Sequence, residues 1–75
     1  MKQYQLTLQA QWRPEVLERV LRVVRHRGYR VSQLHMTSTT EQICLDFSVL
    51  TERPIEALIN QLDKLFDVQY VAVKA

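Results

Sequence analysis

A strict alternation at the amino terminus constrains this chain most. Tyr4, Leu6, Leu8, Ala10 and Trp12 are apolar or aromatic, and Gln3, Gln5, Thr7, Gln9 and Gln11 between them are polar. Successive side chains of an extended strand point to opposite faces, so a period of two predicts a half-buried strand, apolar on one side and amide-rich on the other. The apolar side must lie on something, and the next segment supplies it. Val16, Leu17, Val20, Leu21, Val23 and Val24 recur at helical spacing and form one stripe. Pro14 fits the first turn of that helix, where its missing N–H costs nothing. Gly28 is the only glycine of the chain, and it stands where a left-handed residue ends a helix.

The second half repeats the scheme more loosely. Tyr29, Val31, Leu34 and Met36 predict a strand whose alternation slips once near Ser32-Gln33, as at a bulge. Thr37-Ser38-Thr39-Thr40 reads as a polar turn. Ile43, Leu45, Phe47 and Val49 alternate with Gln42, Cys44, Asp46 and Ser48, which predicts a third strand. A second helix opens near Thr51-Glu52-Arg53-Pro54, with Thr51 as its cap and Ile55, Leu58, Ile59, Leu62, Leu65 and Phe66 as its stripe. Residues 68–73 are the last strand. They are apolar on both sides, so the outer side of this strand is expected to meet something. The order strand, helix, strand, strand, helix, strand, with one apolar face per element, predicts an α+β two-layer sandwich of the ferredoxin-like βαββαβ kind. Right-handed crossovers give an antiparallel four-stranded sheet of order 4-1-3-2 with both helices on one face.

Seventy-five residues are expected to form one domain, residues 1–75, whose small core favours self-association or docking on a larger subunit. A content of 47% hydrophobic and 24% charged residues is that of a globular chain and excludes a disordered one. No apolar run approaches a membrane span, and the first residues lack the apolar centre of a signal peptide. The single cysteine, Cys44, leaves no internal disulfide, which suits a reducing cytoplasm.

Charge is unevenly placed. Between Arg13 and Arg30 lie six arginines against two glutamates, a net of +4. The whole chain is +2, so the remainder is −2. Glu15 and Arg19, and Glu18 and Arg22, stand four apart in the favoured order for helix pairs. Enzyme chemistry finds no footing. His26 and His35 have no cysteine or carboxylate at metal-ligand spacing, Cys44 has no base to activate it, and one glycine cannot make a phosphate loop. Asp63 and Asp67 stand four apart, with Lys64 beside them, as expected of a solvated helix end. No catalytic residue and no metal site is assigned. RNA-recognition modules of this fold stack bases on aromatic side chains of the two central strands. Here that outer face carries glutamines, Thr7, Cys44, Asp46 and Ser48, a poor platform, so RNA binding is kept as a minor alternative.

Two segments carry a resemblance. Leu17-Glu18-Arg19-Val20-Leu21-Arg22-Val23-Val24-Arg25-His26-Arg27-Gly28-Tyr29 resembles the first helix of acetolactate (acetohydroxyacid) synthase small subunits, which ends in an Arg-Gly-aromatic step. Gln61-Leu62-Asp63-Lys64-Leu65-Phe66-Asp67-Val68 is similar to that family's second-helix ending, Gln-Leu-x-Lys-Leu-x-Asp-Val. The length, without a carboxy-terminal extension, is similar to that of the enterobacterial isozyme II type. The resemblance implies an ACT domain that pairs into dimers. It implies a non-catalytic subunit that binds and activates a large subunit in the synthesis of valine, leucine and isoleucine. The implied large subunit uses thiamine diphosphate, Mg²⁺ and FAD, none of them bound by this chain. The alternative is a free-standing ACT-like amino-acid-binding module or an RNA-binding domain of the same fold.

The resemblance also locates a departure. Valine-regulated members carry Asn-Glu-x-Gly or a similar sequence in the loop before the first helix, where the effector binds. Aligned through that helix, this chain has Trp12 at the asparagine position, Arg13 and Pro14 next, and Glu15 at the glycine position. Glutamate blocks the close backbone approach that glycine allows and repels an effector carboxylate. Pro14 removes an N–H from the helix start. The expected consequence is a chain insensitive to valine, unless Arg13 supplies a new carboxylate contact. The expected contact surface for the large subunit is the exposed side of the first helix, with Arg19, Arg22, Arg25 and His26. The polar outer sheet face is a second candidate.

Overall fold

A computed structural model describes residues 1–74. Its elements are β1 (Lys2–Gln11), α1 (Val16–His26), β2 (Arg30–Ser38), β3 (Gln42–Thr51), α2 (Ile55–Asp63) and β4 (Val68–Val73). The strands form one antiparallel sheet in the order β2-β3-β1-β4, the predicted arrangement read from its other edge. β1 is central: Leu6 lies opposite Phe47 on one side and Val73 on the other. The expected bulge in β2 is present, as a register shift between Val31 and Gln33 where the strand pairs with β3.

Alternation sorts the side chains as it must. Leu6, Leu8 and Ala10 of β1 and Ile43, Leu45, Phe47 and Val49 of β3 are buried beneath the helices, joined by Val16, Val20 and Val24 of α1 and Ile55, Leu58 and Leu62 of α2. α1 stops at Gly28, whose φ of +85° is the only positive one among the described residues. The Gly28 amide donates to the Arg25 carbonyl and the Tyr29 amide to the Val24 carbonyl, the two reversed bonds of a Schellman ending. Tyr29 and Val24 both enter the core, and the Tyr29 hydroxyl donates to the Pro54 carbonyl at 2.6 Å, tying the two helix ends together.

Four expectations are corrected. Thr51 does not cap α2. It ends β3, buried, and its Oγ1 accepts from the Arg53 amide in the turn before the helix. α2 ends at Asp63, so the stripe does not reach Phe66: the chain tightens into turns in which Leu65 donates to the Leu62 carbonyl and Val68 to that of Leu65. Phe66 is thereby turned outward and is 86% exposed. Of the two helix pairs only Glu15–Arg19 forms, at 3.1 Å. The fourth correction concerns Asp67.

Candidate functional site

The β1–α1 connection, Trp12 to Glu15, meets the α2–β4 turn at one end of the sandwich. The Gln11 amide donates to the Asp67 carbonyl, and the Trp12 amide to the Glu41 carbonyl in the β2–β3 turn. Asp67 is not at a solvated helix end. Its side chain is 1% exposed and accepts from Arg13 Nε at 2.7 Å on one oxygen and from Arg19 Nη1 on the other. Burial of a carboxylate is tolerable only when its oxygens are met by donors, and here both are. Asp63, four residues earlier, stays exposed. The 3.6-residue period that would have put Asp63 and Asp67 on one helix face does not apply, because the helix has already ended.

Arg13 does two things at once. Beyond its bond to Asp67, its guanidinium carbon sits 5.9 Å from the centre of the Phe66 ring, within cation–π range. Arg19 likewise binds Glu15 as well as Asp67. Pro14 has no N–H to offer, and the Val16 amide donates to the Arg13 carbonyl. Among the expected site residues, then, the structure joins Arg13, Glu15 and Arg19 in one ion-pair network centred on Asp67. Sequence reasoning missed Asp67 as its centre. The signal available was Asp67 within the Asp-Val step that closes the second-helix motif, a position too regular for a solvated end.

Arg22, Arg25 and His26 stand apart from this network, exposed on α1. Arg22 and Arg25 border an open groove between α1 and the start of β2, floored by Leu21, Val31 and Leu34. The groove is open because the helices do not cover the β2 edge: Leu34 is 38% and Met36 43% exposed on the helix side.

The outer sheet face is polar along β1 and β3, as expected, with one aromatic residue added by the edge strand: Tyr70, opposite Gln9, is 52% exposed. Asp46 on this face bonds Lys74 Nζ at 2.9 Å and lies across from His35. The hydrogen bond from the Lys74 ammonium, opposed by desolvation and helped by the charge of that ammonium, holds the Asp46 carboxyl below its ordinary value. No group of three or more His, Cys, Asp or Glu residues that could hold a metal ion occurs among the described residues. No described helix is long and apolar enough to cross a membrane.

Residues 12–71 match the model of the ACT domain family, and the whole described fold agrees with it. The chain is 44% identical, over 97% of its length and 86% of the relative's, to the acetolactate synthase isozyme 2 small subunit of Escherichia coli K12. It belongs to the family of acetolactate synthase small subunits built on an ACT domain. Among solved structures, the ACT domain of GTP pyrophosphokinase from Chlorobium tepidum superposes with a TM-score of 0.85 at 8% identity, covering 96% of each chain. The acetolactate synthase small subunit of Thermotoga maritima superposes at 0.83 with 21% identity, over 97% of this chain and 47% of that one. At such identities these two establish the fold alone.

Proposed function

We propose that the chain is the non-catalytic small subunit of an acetolactate synthase, binding and activating a large subunit that performs the chemistry. The observation that carries this is the 44% identity to an isozyme 2 small subunit over nearly the full length of both chains. In this reading thiamine diphosphate, Mg²⁺ and FAD belong to the large subunit, the pathway is that of the branched-chain amino acids, and the compartment is the cytoplasm. A subunit without chemistry of its own activates by binding one state of its partner better than another, and about 3 kcal/mol of preference shifts a two-state ratio about 100-fold. Arg22, Arg25 and His26 on the open side of α1, with Arg19 at its start, are the proposed contact residues. The experiment is co-purification with the large subunit and assay of its activity with and without this chain. The expected result is a stable complex and a rise in activity that the charge reversals Arg22→Glu and Arg25→Glu diminish. Failure of the wild-type chain to bind or activate would sink the proposal.

The chain is further proposed to be insensitive to valine. The geometry that supports this is the engagement of the loop's own polar groups: Arg13 and Arg19 are bound to Asp67, and the Trp12 amide is bound to Glu41. Arg13 is thus engaged with an internal carboxylate rather than waiting for an effector's. Calorimetric titration of the purified chain with L-valine is expected to give no heat of binding, and micromolar affinity would refute it.

Self-association is proposed to run along β2. This edge strand runs nine residues without lysine or proline, devices that commonly discourage strand pairing. Beside it lie the uncovered Leu34 and Met36. The other edge, β4, is six residues long and is followed by Lys74. A second copy pairing along β2 would extend the sheet and cover those two side chains together.

A further inference from the structure

The Phe66 corner remains unused by any of these roles. Phe66 is 86% exposed, more than any other large apolar residue among those described, and a lone apolar side chain at a surface would call for no explanation. Phe66 is not alone. Arg13 lies over its ring, and Trp12, the residue before Arg13, is itself 43% exposed. Aromatic residues and arginine are the types enriched at protein–protein interfaces, and the centres of such contacts are rich in tryptophan and arginine.

Nor is the corner loose. Phe66 sits within the second of two consecutive hydrogen-bonded turns, and its neighbour Asp67 is fixed by the Gln11 amide on its carbonyl and by two arginines on its carboxylate. The Arg13 that braces the ring is therefore itself braced by a buried group. An exposed ring held this way loses little conformational freedom on binding, which is what pre-organisation contributes to affinity.

The charges at the corner decide the kind of partner. Arg13 and Arg19 are matched by Asp67 and Glu15, so the corner is locally neutral although α1 as a whole is basic. Binding of nucleic acid or an anionic surface draws on uncompensated cations, whereas here the exposed Lys64 stands beside the exposed Asp63, and the corner carries no excess of positive charge. A neutral, rigid, aromatic projection fits an apolar pocket on a protein. The corner also lies at the end of the sheet where β1 finishes and β4 begins, with β1 and β3 between β4 and the β2 edge, so a second copy on β2 leaves it free.

We infer that Phe66, braced by the Arg13–Asp67 pair, is the anchor that inserts into an apolar pocket of the catalytic large subunit. This rests on the small-subunit function proposed above and names a contact within it, adjoining the α1 face through Arg19. The test titrates the large subunit with wild-type chain, Phe66→Ala and Phe66→Trp, reading activation. Circular dichroism and light scattering check fold and oligomeric state. Phe66→Ala is expected to keep its fold and weaken the half-saturating concentration by about 30-fold or more, the scale of an anchor residue. Phe66→Trp is expected to stay within about 3-fold of wild type, as an aromatic that can refill an apolar pocket. Wild-type potency in Phe66→Ala, with normal activation by the wild-type chain, would overturn the anchor and leave the small-subunit function standing. Absence of activation by the wild-type chain would overturn both. A change of the chain's own oligomeric state in Phe66→Ala would assign the corner to a second copy. Binding of single-stranded RNA that Phe66→Ala abolishes would assign it to nucleic acid. Either result would overturn the inference.

Discussion

Asp67 shows how differently the two halves of an ion pair can be placed. Its side chain is 1% exposed, while those of Arg13 and Arg19 are 42% and 37% exposed. Removing the acid and removing the bases are therefore unequal changes. In Asp67→Asn the arginines can turn toward water, and the loss is expected to be about 1.5–3 kcal/mol, the scale of hydrogen bonds to charged groups. In the double variant Arg13→Ala/Arg19→Ala the buried carboxylate is left without its partners, which costs about 3–5 kcal/mol. Urea denaturation of the two variants is expected to place the double variant well below Asp67→Asn. Equal losses would mean that the buried carboxylate relaxes into solvent when its partners go. Val16, buried, and Trp12, exposed, flank the same connection between β1 and α1. The loop can leave the tryptophan side chain exposed because Asp67 and the Trp12 backbone amide, not the indole, join it to the rest.

At the scale of the element, α1 is the part most legible in the sequence. Its stripe is core, its glycine adopts a positive φ of +85°, and its start lies within two residues of Pro14. Gly28→Ala is expected to destabilise by about 1–2 kcal/mol, the cost of a left-handed residue with a Cβ, read as a lowered melting temperature. The new Cβ would lie 2.9 Å from Arg53 Nε, but that side chain is flexible and can move, so the backbone conformation sets the cost. α2 was harder to read because its apolar stripe continues past its end. Leu65 still packs on the core after the helix has become a turn, so periodicity alone carried the helix too far and buried Phe66 wrongly. The same error hid Asp67: spacing of four means a shared face only where the chain is still helical. The bulge in β2 was legible, because a bulge shifts alternation by one residue and leaves that shift in the sequence itself.

At the scale of the molecule, the order of elements gave the sheet order, but the polar contacts between its ends could not be read from it. Arg13 and Asp67 are 54 residues apart, and no local pattern announces such a pair. The same limit applies to the uncovered side of β2, since the sequence shows Leu34 and Met36 as a strand's apolar face without showing how far the helices extend over it. If two copies pair along β2, Leu34→Lys places a charge against its own symmetry-related copy and should shift the chain toward monomer. Multi-angle light scattering over a range of concentrations checks this. An unchanged mass in the variant would exclude β2 as the interface.

The central place of β1 also bears on how the chain is made. Of the four strands β1 is made first, yet one of its two partners is β4, made after the other three: Leu6 lies opposite Val73. Pairings so distant in sequence close late, because the intervening chain must be ordered first. During synthesis, at about 5–20 residues per second, β1 therefore has neither neighbour until β3 emerges, and keeps one side unpaired until β4 follows. For that interval the glutamine-rich strand is an open edge, exposed to other nascent chains. Its final neighbour arrives only when the last strand does.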